Sequence, residues 1–332
     1  MDRREFISLT TKCTALSLLG TNIINNKLFG AYNPNNNLNI ENVLTKFQNA
    51  STKVYVKGKE VKIHRICTGR VAVKTNFLSK KGFGEIARLN ILLDHDFTDF
   101  LPIWVWIIEH PDGIIAIDTG EISEINNLKK YLANESTYNR FVFEKVTKFD
   151  ITEQDELNFQ LDKLGIKIED IKLVVLTHLH LDHTDGLKFF PKSEILVNDY
   201  EFKKPYTNMP STYPKWFNPN KIIYQPNTID VFDFAYPINN DLYYIPTPGH
   251  THGHSSIIFK TDEFDIMFAG DASYNQEQVI KGELAGVNAN YKKSKETYSK
   301  ILTYAKSKKL VYLPTHDPNS GWRLDNKIFL TE

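Results

Sequence analysis

Between positions 177 and 183 the chain reads Thr-His-Leu-His-Leu-Asp-His. Four side chains able to ligate a metal, His178, His180, Asp182 and His183, therefore fall within six residues. In an extended stretch His178 and His180 point to the same side and can hold one ion together. A turn that tightens after them presents Asp182 and His183 to a second position. Imidazole and carboxylate in combination suit zinc or a similar divalent ion. The alternative is a solvated loop, but chance seldom concentrates one residue type so densely.

Three later segments repeat the arrangement. Thr247-Pro248-Gly249 leads to His250, Gly270 to Asp271, and Pro314-Thr315 to His316. Each follows a short apolar run that reads as a strand, at 242–245, 265–268 and 310–313, as the first motif follows 173–176. Four strands would then each deliver a ligand-type side chain just past the C-terminal end. In layered α/β folds the loops at that edge converge on one rim, where sites form.

The remaining pattern supplies a scaffold for such a rim. Residues 61–67 and 70–74 read as early strands, and 75–100 as irregular. Apolar runs at 103–108 and 114–117 flank Pro111-Asp112-Gly113, a turn sequence, which predicts a hairpin. Thr152 and Asp155 have capping-box spacing, Leu157, Leu161 and Leu164 follow at helical intervals, and Gly165 closes the helix. Tyr298, Ile301, Leu302 and Ala305 share a helical face, and 256–259 reads as another strand. Strands and helices are mixed, so the class is α/β or α+β. No Pro/Gly/Ser-rich linker divides residues 41–332, which read as one domain.

Composition excludes several classes. The 332 residues are 41% hydrophobic and 24% charged, enough for a sizeable core. Forty basic side chains balance forty acidic ones, so no basic excess is available to hold a nucleic-acid backbone. Two cysteines make no disulfide scaffold. The opening MDRREFISLT, with Arg3 and Arg4 before Phe6 and Ile7, resembles a twin-arginine export signal. Its apolar part is too short and polar for stable membrane insertion. Residues 1–31 are therefore expected to be a removable leader, 32–40 an Asn-rich linker, and the product an exported, periplasmic protein.

The combination of His178-x-His180-x-Asp182-His183 with His250, Asp271 and His316 resembles the metallo-β-lactamase superfamily, and Asp118-Thr119-Gly120 upstream fits it. The resemblance covers most of residues 60–320. It implies an αββα sandwich with two divalent metal ions, zinc in kind, on one edge. His178, His180 and His250 would hold the first ion, and Asp182, His183 and His316 the second. Asp271 would bridge them, with a shared hydroxide. The successive intervals of 67 residues from His183 to His250, 21 from His250 to Asp271 and 45 from Asp271 to His316, with Tyr274 three residues after Asp271, are similar to the N-acyl homoserine lactonases. The implied reaction is opening of a lactone's ester ring by the dimetal-bound hydroxide. Tyr274 would donate a hydrogen bond to the developing oxyanion and Asp182 would carry a proton to the leaving oxygen. The implied partner is a small-molecule lactone or ester, and an oligomer is compatible with the sequence.

Several residues carry two readings. His252 and His254 would share a face with His250 if that segment were extended. The resemblance selects His250, leaving His254 behind the site and His252 facing solvent. Asp118 either orients a metal ligand or forms a turn. Tyr274 could be a core aromatic. His64, His95 and His110 read as ordinary polar residues, and Trp104, Trp106, Trp216 and Phe217 as packing. Thr184-Asp185-Gly186 departs from the family's usual residue followed by Gly-Gly. Rival functions are a phosphotriesterase resembling methyl parathion hydrolase, a thioesterase, or, in another class, a non-hydrolytic redox or metal-binding module.

Overall fold

Alternation along the strand Leu101–His110 sets the architecture. Trp104, Trp106 and Ile108 enter one apolar cluster, while Val105 and Ile107 enter another on the opposite face. A strand buried on both faces requires a layer on each side. The structure, a computed structural model, describes residues 47–331. The expected leader at 1–31 and the expected linker at 32–40 lie outside the described residues.

In chain order the strands are β1 (Ala50–Val56), β2 (Lys59–Val73), β3 (Leu101–His110), β4 (Gly113–Ile117), β5 (Thr147–Asp150), β6 (Ile171–Val175), β7 (Glu194–Asn198), β8 (Asn220–Ile222), β9 (Gln225–Ile229), β10 (Phe232–Pro237), β11 (Leu242–Pro246), β12 (Ser255–Lys260), β13 (Asp265–Gly270) and β14 (Leu310–Pro314). The helices are α1 (Thr75–Leu78), α2 (Glu85–Leu92), α3 (Leu128–Tyr131), α4 (Thr137–Val146), α5 (Leu157–Lys163), α6 (Leu181–Thr184), α7 (Tyr200–Lys203), α8 (Gln276–Lys281), α9 (Tyr291–Ser307) and α10 (Ser320–Asp325). Among the described residues, one sheet has the order β1-β2-β3-β4-β6-β7-β8, with β5 also on β2, and the other β14-β13-β12-β11-β10-β9.

The sheets pack face to face. Trp104, Trp106, Ile115 and Val175 from the first meet Tyr244, Ile257, Phe268 and Leu313 from the second. Leu157 and Leu161 of α5 cover the outer face of the first sheet, and Tyr298, Ile301 and Tyr304 of α9 cover that of the second. This is the αββα sandwich. In the second sheet β11 and β13 are each antiparallel to β12, and β14 is parallel to β13, so β11, β13 and β14 run the same way. Their C-terminal ends, with that of β6, carry the candidate ligands. No helix among the described residues is long and apolar enough to cross a membrane.

Two local expectations change. The strands expected at 61–67 and 70–74 are one strand, β2, whose pairing with β3 shifts between Cys67 and Arg70. Gly69, at φ 129°, allows this bulge, and its missing Cβ makes room for Ile151. Residues 75–100 are not irregular but contain α1 and α2. Neither helix has a side-chain N-cap, and α2 begins after Gly84 at φ 53°. Asp94 instead fastens α1 from a distance, accepting from the Thr75 hydroxyl at 2.8 Å and the Asn76 N–H at 2.7 Å.

Candidate metal centre

The seven candidate ligands come together. β6 ends at Val175, and the extended residues after it bring His178 Nε2 to 3.0 Å from His180 Nδ1. His250 Nε2 approaches the same His180 Nδ1 at 2.9 Å. The chain then tightens into α6, which carries Asp182 and His183. His316 Nε2 lies 3.2 Å from Asp182 Oδ2 and 3.3 Å from Asp271 Oδ2. His183 Nε2 is 3.4 Å from Asp271 Oδ1, and His250 Nε2 is 3.5 Å from Asp271 Oδ2. Asp271 thus touches both groups. Three triads have ligand atoms within 4.8 Å of one another: His178/His180/His250, His178/His183/Asp271 and Asp182/His183/His316.

The outer edges of three of the imidazoles are fastened. His183 Nδ1 donates to Asp118 Oδ2 at 2.8 Å, and His316 Nδ1 donates to the Pro102 carbonyl at 2.9 Å. His180 Nε2 donates to the Tyr206 carbonyl at 3.0 Å and also meets the Thr207 hydroxyl at 2.8 Å. These assignments follow from the acceptors present. A neutral imidazole that donates from one nitrogen offers a lone pair on the other, so these three point lone pairs inward. Asp118 is able to do this at φ 60°, a conformation aspartate tolerates. Its Oδ1 also accepts the Thr177 N–H at 2.7 Å, joining the end of β4 to the end of β6. Asp118 therefore orients a candidate ligand as well as shaping the turn.

The site's electrostatics fit a cation. Burial, reinforced by neighbouring imidazoles, holds His178 well below the ordinary histidine range. Burial likewise lowers His250 and His180. Burial also opposes charge on His183 and His316, but carboxylates overcome it. Asp118, Asp182 and Asp271 hold His183 well above its ordinary value, while Asp271 and Asp182 push His316 up to about 10. Burial opposes ionisation of Asp271, yet His316 and His183 hold it well below the carboxylate range. The buried His183 Nε2 and Asp271 Oδ1 have no hydrogen-bond partner. Inward lone pairs, unpaired donor atoms and carboxylates that recruit protons are the donor set a divalent ion requires.

The other singled-out residues divide clearly. Tyr274 is buried, stacks on His316 with centroids 5.4 Å apart, and meets His250 edge-on at 6.0 Å. Burial and the charge of Asp271 raise its hydroxyl well above the ordinary value, so it is a donor. His254 is fully buried behind His178, and its Nε2 accepts the Asp271 N–H at 3.0 Å. His250, His252 and His254 do not alternate on one extended face, because β12 begins only at Ser255. His252 turns outward to within 6.3 Å of the Tyr206 ring. His64 is buried between Ser51 and Glu109, His110 is buried and His95 is exposed. Trp104 and Trp106 are core, Phe217 packs on the first sheet's outer cluster, and Trp216 is partly exposed.

Sequence reasoning missed four contributors. Tyr206 and Thr207 reach His180 from a distant loop. Glu201 is buried among the ligand loops. Asp185, noted only as a departure from Gly, faces Glu121 inside the protein. Burial pushes Asp185 up to about 7, and burial with the Asp185 charge raises Glu121. Only the Asp185 departure left a mark in the sequence; Glu201 and Tyr206 belong to no spacing pattern.

The chain's similarities agree with this geometry. The family model described as the metallo-beta-lactamase superfamily matches residues 98–316. An N-acyl homoserine lactonase of Bacillus sp is 28% identical over 178 residues, 53% of this chain and 66% of that protein, just under two thirds of its length. The N-acyl homoserine lactonase AttM of Rhizobium radiobacter is 26% identical over 235 residues, 66% of this chain and 83% of the relative. A structure of N-acyl homoserine lactone hydrolase with N-hexanoyl-L-homoserine at its catalytic metal centre superposes with TM-score 0.62 at 20% identity, covering 81% of this chain and 94% of that one. AidC, a dizinc quorum-quenching lactonase in complex with a product, gives TM-score 0.54 at 16% identity, covering 82% and 92%.

Proposed function

This chain belongs to the metallo-beta-lactamase superfamily, and from that premise we propose that it is a metal-dependent hydrolase that opens the ester ring of a lactone, with N-acyl homoserine lactones as the leading substrate class. One observation carries the reading: a complete set of seven inward-facing ligand side chains with the Tyr274 phenol stacked against it. His178, His180 and His250 would hold one ion, Asp182, His183 and His316 a second, and Asp271 would serve both. When bound, two divalent ions would supply Lewis acidity toward the ester carbonyl and would lower the pKa of a water from 15.7 toward roughly 7.

The chain's own residues supply the rest. The protonated Tyr274 hydroxyl donates a hydrogen bond to the carbonyl oxygen as negative charge grows there. Asp182 is the most exposed of the two central carboxylates, at 19% of its side chain against 3% for Asp271, and is the one positioned to pass a proton. Overall, one water is consumed. Its oxygen joins the acyl carbon, the ring C–O bond breaks, and a proton goes to the departing oxygen through Asp182. The product is a hydroxy acid.

The test is a hydrolysis panel on zinc-loaded protein. It includes short- and long-chain N-acyl homoserine lactones, an aryl ester, a β-lactam, a thioester and a phosphotriester. Lactones should gain the mass of one water. Failure to open any lactone while another bond is cleaved would overturn the lactonase reading.

A further inference from the structure

Glu201 lies on α7, outside the ligand pattern, and is only 1% exposed. Its carboxylate reaches two loops at once. Oε2 accepts the Leu179 N–H at 3.0 Å, the residue between His178 and His180. Oε1 accepts the Thr251 hydroxyl at 2.5 Å and the Gly253 N–H at 2.9 Å, beside His250. The loops must come close for this. A Cβ on Gly253 would sit 2.5 Å from the Glu201 N and 2.8 Å from Oε1, so only glycine permits the approach. A few residues further along the same segment, Tyr206 and Thr207 hold the outer nitrogen of His180.

The second group of ligands is held by other means. His183 is oriented by Asp118 and His316 by the Pro102 carbonyl, and neither bond involves Glu201. A carboxylate offers acceptors on both oxygens, so one side chain can bind donors from both loops. We propose that Glu201 is a positioning residue that clasps the loops carrying His178, His180 and His250, and so sets the affinity of the first metal position without setting that of the second. This rests on the two-metal reading above.

Glu201→Gln keeps the side chain's volume but turns an amide NH2 group toward backbone or hydroxyl donors of one loop. Thr251→Val is a milder cut that removes one bond and leaves Glu201 in place. Both variants and the unaltered protein are stripped with chelator and titrated with Zn²⁺ against a chromophoric competitor, then with Co²⁺ while the visible spectrum is recorded. Circular dichroism checks folding. His250→Ala identifies which binding event belongs to the first position.

The unaltered protein should bind two ions. In Glu201→Gln the first-position event should weaken roughly 10- to 100-fold, the usual effect of losing a residue that supports metal ligands. The second event and its Co²⁺ bands should stay as they were. Thr251→Val should weaken the same event by less. Equal weakening of both events in a folded variant would make Glu201 merely structural and overturn the proposal, as would no change in either. If Glu201→Gln does not fold, Thr251→Val decides by the same criteria. An unaltered protein that binds no ion would overturn the metal reading itself, a separate result from two ions bound with no effect of the variants.

Discussion

Replacing Asp118 by Asn changes one proton pattern and little else. Asn tolerates φ 60° as Asp does, and the two side chains have the same shape. The amide oxygen can keep the Thr177 N–H bond, 2.7 Å in the native protein. The amide NH2 then faces His183 Nδ1 at the position where Oδ2 now accepts at 2.8 Å. The Thr177 hydroxyl, 2.9 Å from Oδ2, can rotate to become an acceptor, but an imidazole N–H cannot. His183 must therefore give up its Nδ1 proton and carry its remaining proton on Nε2, the atom that faces Asp182 and Asp271. A metal can bind there only after that proton returns to Nδ1, where it meets the amide donor. Leaving such a buried donor unsatisfied costs about 1–3 kcal/mol, roughly 5- to 150-fold in affinity, and agrees with the usual 10- to 100-fold effect of losing a ligand's partner. Competition titration of purified Asp118→Asn should show this loss at the second metal position, with the first unchanged. Undiminished affinity at the second position in a folded variant would refute the argument that Asp118 sets the His183 tautomer.

Three further outcomes follow from the same observations. Tyr274→Phe should retain both metals but lower kcat by roughly 10²–10³, about 3–4 kcal/mol in barrier, with little change in KM; unchanged turnover on every accepted substrate would remove Tyr274 from the reaction. In the chelated protein His316 is raised to about 10, so its contribution to stability is fully present below about 6.5 and is lost as pH rises through about 10; thermal melts of the apoprotein should decline across that window, and calorimetry at pH 8 in buffers of different ionisation enthalpy should detect protons released on zinc binding. Arg3→Lys together with Arg4→Lys should stop delivery to the periplasm if the leader uses the twin-arginine route, which fractionation with an activity or antibody readout measures; undisturbed export would overturn that expectation.

Strands β2, β3, β4, β6 and β11 to β14 and helices α5 and α9 were legible because their signals are local, whereas β1, β5, β7 to β10 and α4 were not read from the sequence. The Pro-Asp-Gly turn lies between β3 and β4, and the Thr152–Asp155 capping box forms before α5 as its spacing predicts. The helical face at Tyr298 and Ile301 packs on the second sheet. Helices α1 and α2 were invisible because they lack caps and draw on partners such as Asp94. The bulge in β2 was invisible because it answers to Ile151, which lies far along the chain.

Within the candidate metal centre the division is similar. Residue types and their places after predicted strands make His178, His180, Asp182, His183, His250, Asp271 and His316 candidates and point to a divalent metal, because a metal needs imidazole and carboxylate donors, with the family resemblance choosing His250 over His252 and His254. The supports are another matter. Asp118 reaches His183 across 65 residues, Tyr206 reaches His180 across 26, and Pro102 reaches His316 across 214. The Asp118 bond exists only after β4 has paired with β6, the Pro102 bond only after the two sheets have closed on each other, and the Tyr206 bond only after the loop beyond α7 has folded back on the β6 loop. The sequence by itself determined which side chains could hold a metal. The tertiary structure alone decided which way their lone pairs point and how firmly, because a hydrogen bond made through space depends on distance and angle rather than on position along the chain.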